Sequence, residues 1–123
     1  MGTLRTPETE AKYDAVKASG VMQKTCALCD DRTTLKDFTY WRVVENAFPY
    51  DQVAKTHHMA VLKRHAPIEE LTANEHAEWE DIKHGYVFAT YEFIIEPVPK
   101  QRSIPAHAHL HFIVAKGVEQ QSA

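Results

Sequence analysis

Residues 107–113 read His107-Ala108-His109-Leu110-His111-Phe112-Ile113, and their alternation organises the reading of the whole chain. Successive side chains of a β-strand point to opposite faces. His107, His109 and His111 therefore share one face, while Ala108, Leu110, Phe112 and Val114 share the other and mark the core side. Three imidazoles crowded together cannot all be charged without cost, so they call for a cleft and an anion, a metal or water as partner. The plainer alternative is a partly exposed strand that carries three histidines by chance.

Working outward, the strand is expected over His107 to Ala115. His57 to Lys63 reads as a second strand, with His57, Met59 and Val61 on one face and His58, Ala60 and Leu62 on the other. Tyr40 to Glu45 has the aromatic and β-branched content of another strand, and Asn46 to Asp51 turns the chain. Between the two histidine-bearing strands, Thr72-Ala73-Asn74-Glu75 is a capping-box pattern. Trp79, Ile82, Tyr86 and Ala89 then recur at helical spacing, which predicts the longest helix over about Ala73 to Tyr91. Phe93 to Glu96 is a short strand that Pro97 ends or confines to an edge. Near the start, Thr6-Pro7-Glu8 combines an N-cap, a first-turn proline and an acidic first turn, predicting a helix from Pro7 to about Ala18 that stops at Gly20. The expected class is α+β, an antiparallel sheet with one long covering helix and an N-terminal helical extension over residues 1–20 ahead of a domain at 21–123.

With 123 residues, 44% hydrophobic and 25% charged, the chain fits one domain with one core. A formal charge of -3 supplies no overall basic field, so binding along a nucleic-acid polymer is not expected and a small ligand suits the balance better. No stretch approaches a bilayer-spanning apolar run, and Glu8, Glu10 and Asp14 leave no signal-like apolar region, so no membrane partner and a cytoplasmic location are expected. The only two cysteines, Cys26 and Cys29, are spaced Cys-x-x-Cys. In an intracellular setting that spacing points to a metal half-site or a redox pair more than to a structural disulfide.

Residues 107–113 resemble the signature of the histidine triad superfamily, three histidines alternating with apolar residues and followed by two more. The resemblance extends to Thr56-His57-His58-Met59-Ala60-Val61-Leu62-Lys63-Arg64-His65, which is similar to the upstream strand of that family, with one histidine at its start and one just after a basic pair. Tyr40 to Asn46, the turn at Phe48-Pro49-Tyr50-Asp51, the helix start at Leu71 to Glu75 and the Cys-x-x-Cys have counterparts as well. In all, about Cys26 to Val114 is covered. Leu62 stands where the family usually has proline. The segment Glu96 to Arg102 lacks the asparagine and glycines that many members place before the triad.

The resemblance implies an α+β unit that pairs into a homodimer and cleaves nucleotide phosphoanhydrides, phosphoramidates or related esters. It implies that His109 attacks the α-phosphorus to give a nucleotidyl-imidazole that water resolves. His111 would hydrogen-bond the phosphoryl oxygens and His57 would orient or polarise the site. Neutral imidazole suits this role near pH 7 and splits one displacement into two. Asn46 and Ser103 are the expected nucleotide-binding residues. Lys63 and Arg64 either add positive potential or form a solvated basic turn. Some members complete a structural zinc site with residues that correspond to His65 and His107, so the expected ligands are Cys26, Cys29, His65 and His107; a thiol pair or redox switch is the alternative for the cysteines. A zinc held by the triad itself is disfavoured, since alternate strand residues lie about 6.5–7 Å apart. His58, His76 and His84 carry no expected role.

Histidine at the third triad position favours the hydrolase branch. The Glu45-Asn46-Ala47-Phe48-Pro49 stretch is instead similar to the nucleotidyltransferase branch, that of the galactose-1-phosphate uridylyltransferases. The missing polar pair before His107 motivates a further alternative, a nucleotide-binding or interaction module with little turnover.

Overall fold

The computed structural model describes residues 3–18, 27–29, 34–99 and 104–117. Helix α1 covers Pro7–Ala18, and strands β1, β2 and β3 cover Lys36–Asp37, Trp41–Glu45 and Ala54–Leu62. Helix α2, Ala73–Ile82, continues through a π-helical stretch at Lys83–Val87 into a last turn at Phe88–Thr90. Strands β4, Phe93–Ile95, and β5, His109–Ala115, complete an antiparallel sheet in the order β1-β2-β3-β5-β4. The class is α+β, as the alternation patterns require.

The register sets the two faces of the sheet. Ala60 lies opposite Val43 on one side and Leu110 on the other, and His58 opposite Phe112. One face thus gathers Trp41, Val43, Ala60, Leu62, Leu110 and Phe112, which pack under Trp79, Ile82 and Val87 of the long helix. Trp79 stacks on Phe112 at 6.4 Å between ring centroids and tilts against Trp41 at 6.0 Å. The opposite face carries His57, Met59, Val61, His109 and His111, with a smaller cluster of Leu28, Val44, Met59 and Val61 closed by Ile104.

Four features differ from the sequence expectation by more than a residue at an element's end. Strand β3 starts three residues earlier than His57, because the chain leaves its turn at Tyr50, whose carbonyl accepts from both Val53 and Ala54. A two-residue strand, β1, pairs with β2 in what reads as a polar loop, since backbone pairing needs no apolar pattern. The ladder of β5 begins at His109, not His107. The chain at His107 is still turning, with its N–H on the Ile104 carbonyl, and Ala108 bonds to Ala66 and Leu62. The long helix spans the expected length, but the π-helical stretch advances its phase. Val87 is buried and Ala89 is exposed, so the stripe does not end on Ala89.

The capping box forms as the pattern demands: the Thr72 side chain accepts from the Glu75 N–H, and the Glu75 carboxylate accepts from the Thr72 N–H. Glu75 is also gripped by Arg64 through two bonds of 3.0 and 2.9 Å. Those contacts, with the Thr72 N–H, hold the Glu75 carboxyl down to about 2. The basic pair is therefore structural: Arg64 ties the end of β3 to the helix start, and Lys63 pairs with Asp37 at 2.8 Å. His65 follows on a turn so anchored.

Candidate functional site

On the histidine face the side chains sort into two groups. The first holds His57 and His111, both 4% exposed, which are diagonal neighbours because Met59, not His57, lies opposite His111. Their contact, His57 Nε2 to His111 Nδ1, is 2.8 Å. The Tyr50 backbone N–H donates to His57 Nδ1 at 3.0 Å. An amide nitrogen only donates, so Nδ1 is unprotonated, and neutral His57 carries its hydrogen on Nε2 and donates it to His111 Nδ1. Neutral His111 then carries its own hydrogen on Nε2. Burial pushes His57 down to about 4 and His111 to about 2, with repulsion from neighbouring imidazoles and from Arg5 adding to it, which keeps both rings neutral at pH 7. Of the three triad histidines, His111 is thus accommodated by a neutral hydrogen bond to His57.

Asn46 sits at this pair. Its Oδ1 accepts from the Phe48 N–H at 2.8 Å, closing an Asx turn. Its Nδ2 lies 3.4 Å from His57 Nε2, and the 2.8 Å bond to His111 takes precedence. Asn46 shapes the turn beside the pair. Ser103, the other expected nucleotide-binding residue, lies outside the described residues.

His109 is half-buried on the same face, its ring 5.0 Å from that of His111. Its Nδ1 is 2.8 Å from the backbone carbonyl of His107. A carbonyl only accepts, so Nδ1 carries the hydrogen and the lone pair of the neutral ring is on Nε2. Thus His109 and His111 present unlike atoms, a basic nitrogen on one and an N–H on the other.

The second group is the candidate metal centre. Cys29 Sγ lies 3.2 Å from His65 Nδ1 and 3.3 Å from His107 Nδ1, and the two Nδ1 atoms are 3.2 Å apart. Bond lengths of about 2.0–2.3 Å around a tetrahedral zinc place ligand atoms about 3.3–3.6 Å apart, so these three side chains fit one ion. His107, 1% exposed, meets the Leu62 carbonyl through Nε2 at 2.6 Å. That bond fixes the hydrogen on Nε2 and turns the Nδ1 lone pair toward Cys29 and His65, the outer support that a metal-ligating imidazole would need. Cys29 is placed by Leu28, which plugs the cluster of Val44, Met59 and Val61, and whose carbonyl accepts from Arg42 at 3.2 Å. Cys26, the expected fourth ligand, lies outside the described residues.

Two residues near the histidine pair were not singled out from sequence, Tyr50 and Arg5. The Tyr50 ring stacks on His111 at 5.2 Å and 29° and lies 4.5 Å from the His57 ring. Arg5 lies over Tyr50 at 5.2 Å and over Tyr13 at 4.2 Å. No periodicity or spacing marks either residue. His76 and His84 are exposed on the helix, and His58 lies on the helix-facing side, 2.6 Å from the Tyr91 hydroxyl.

No protein-family model matches this chain, and neither a curated protein nor a solved structure does. The likeness to the histidine triad superfamily accordingly rests on the residues that carry it in the sequence. No helix among the described residues is long and apolar enough to cross a membrane.

Proposed function

We propose that this protein is a nucleotide phosphohydrolase or phosphoramidase that cleaves at the α-phosphate through a covalent nucleotidyl-imidazole on His109. The observation that carries the reading is the adjacency of the His109 and His111 rings, 5.0 Å between centroids, whose Nδ1 partners leave the lone pair of neutral His109 and the N–H of neutral His111 on their Nε2 atoms. In the first step the His109 Nε2 lone pair forms the N–P bond, and the electron pair of the P–O or P–N bond leaves with the departing group, which takes up a proton from solvent. In the second, water attacks phosphorus and gives up a proton to solvent, the electron pair of the N–P bond returns to His109 Nε2, and the nucleoside monophosphate leaves. The Nδ1–H bond to the His107 carbonyl supports the positive charge that His109 gains on attack. His111 donates to a phosphoryl oxygen where charge builds up, and His57 holds His111 in the tautomer that can donate. Since His57 and His111 are neutral, this stabilisation is by hydrogen bonding, and not by a fixed cation.

Zinc at Cys29, His65 and His107, with Cys26 as fourth ligand, belongs to the same reading. Two thiolates and two imidazoles form a closed structural set, so the ion would contribute folding stability by tying residues 27–29 to the turn after β3 and to the start of β5. A homodimer is also proposed. It is supported by the edge position of β4 and by Phe88 and Phe93, which are 59% and 58% exposed, because an uncovered apolar edge invites a partner.

The enzymatic reading is tested by incubation with adenosine phosphoramidates, diadenosine polyphosphates and nucleotide sugars, followed by a denaturing quench at alkaline pH, where the N–P bond survives, and mass spectrometry. Release of nucleoside monophosphate with a nucleotidyl adduct on the peptide holding His109 is expected. His109→Ala should lose at least about 10³-fold in kcat, roughly 4 kcal/mol, with nucleotide binding little changed. His111→Ala should lose less, since the nucleophile remains. Near wild-type turnover by His109→Ala would sink the mechanism; binding without release in the wild-type protein would favour the binding-module alternative.

A further inference from the structure

The segment ahead of the sheet is fastened to the rim of the histidine site by several independent contacts. Arg5 Nε donates to the Phe48 carbonyl at 2.7 Å, Gln52 N–H to the Leu4 carbonyl at 2.9 Å, and Thr6 N–H to Asp51 Oδ1 at 2.7 Å. The Thr6 and Thr9 hydroxyls share the other Asp51 oxygen. Those bonds hold the Asp51 carboxyl below its usual range, the Thr6 N–H contributing most. Tyr13 is buried and meets Phe48 at 5.4 Å. An appended helix would need none of these.

What they hold in place is Tyr50. Its ring lies against the Arg5 guanidinium, and it also packs on His57 and His111. Its backbone N–H sets the His57 tautomer. Moreover the Arg5 side chain is only 11% exposed, with its Nη1 3.4 Å from Glu10, so its guanidinium is held in place.

We propose that Arg5 is a positioning residue of the site: held by the N-terminal segment, it seats Tyr50 so that the Tyr50 amide and ring fix the tautomers and orientation of His57 and His111. The functional part of this inference rests on the hydrolase reading above. The positioning itself is a statement about two imidazoles that holds with or without turnover. The arrangement makes residues 3–18 part of the site, contributing through Tyr50 without contact with the reacting atoms.

The test uses the full chain with Arg5→Met, Tyr50→Leu and, as a control, Glu10→Gln, which removes the Arg5 ion pair but leaves its contacts with Phe48 and Tyr50. Imidazole ¹H–¹⁵N spectra at pH 7 report the tautomers, and kcat and KM on an adenosine phosphoramidate report function. Wild-type protein should show His57 and His111 with hydrogen on Nε2. In Arg5→Met both tautomers should appear for His57, with kcat lowered about 10- to 100-fold and KM within about twofold, and Glu10→Gln should match wild type in both. Tyr50→Leu, which keeps the segment docked and removes only the ring, should disturb His111 in the same spectra and covers the case of an Arg5→Met chain that does not fold. Wild-type tautomers in both Arg5→Met and Tyr50→Leu would overturn the proposal. A tautomer change in a protein that turns nothing over would uphold the positioning and remove the hydrolase reading; turnover indifferent to Arg5→Met would leave the hydrolase reading standing and overturn the functional part of the proposal.

Discussion

At the scale of single residues, the site depends on which nitrogen of each ring holds a hydrogen, and backbone groups decide it. The His107 carbonyl assigns Nδ1–H to His109, the Leu62 carbonyl assigns Nε2–H to His107, and the Tyr50 amide assigns Nε2–H to His57. Histidines that share one face of the sheet, or flank it, thus present different atoms to their surroundings. The burial that makes this possible has a measurable consequence. His57 and His111 are held below the value near 6.5 that they have in the unfolded chain. As pH falls below about 6.5 the unfolded chain takes up protons that the folded chain refuses. Stability is therefore complete above that pH and is lost on acidification, by up to about 1.4 kcal/mol per pH unit for each histidine. Urea unfolding at pH 7.5, 6.5 and 5.5 should show the decline, and His111→Gln should make it shallower. An equal slope in the variant would show that His111 is not held neutral by the fold.

At the scale of elements, the long helix and its π-helical stretch show how a short local change resets packing. An α-helix places its buried stripe every 3.6 residues, which would follow Trp79, Ile82 and Tyr86 with Ala89. The wider turn at Lys83–Val87 instead buries Val87 and brings the Tyr86 hydroxyl within 3.3 Å of that of Tyr91. Gly85 lies in this stretch, and a Cβ built on it meets nothing within 4 Å. Gly85→Ala should therefore stabilise the protein by about 0.5–1 kcal/mol, through the backbone entropy that glycine loses on folding. Thermal or urea unfolding measures it. A loss of stability would mean that the π-helical stretch needs the glycine for a reason other than space.

At the scale of the whole molecule, one side of the sheet is closed by the long helix, while the histidine side is covered by pieces distant in sequence: residues 3–18, the turn 46–52 and residues 27–29. The proposed zinc binds the last of these to the sheet, and the proposed dimer covers the β4 edge. Native mass spectrometry of protein never exposed to chelator tests both together, with a dimer carrying one zinc per chain expected. Less than about half an equivalent of zinc would count against the metal, and a monomer at micromolar concentration would remove the dimer. Where zinc is found, chelation or Cys29→Ser should lower Tm, because structural zinc binding adds directly to folding free energy.

The sequence by itself determined the two faces of the sheet, both main helices and the side on which the histidines gather. Each of these follows from a local period or a cap: two for His107 to Val114, about 3.6 for Trp79 to Tyr86, and the Thr72 to Glu75 box. Through the family resemblance it also grouped Cys26, Cys29, His65 and His107 as candidate ligands, and the last three do lie together. Only the tertiary structure decided that Lys63 and Arg64 are structural, that the long helix passes through a π-helical stretch, that β1 exists, and that His107 points away from His109 into a separate cluster. It alone brought Arg5 and Tyr50 to the histidine pair. Periodicity records which side of an element is apolar. It carries no record of partners 43 residues apart, such as Arg5 and Phe48, because a hydrogen bond or a ring contact between distant segments constrains only the residues that meet.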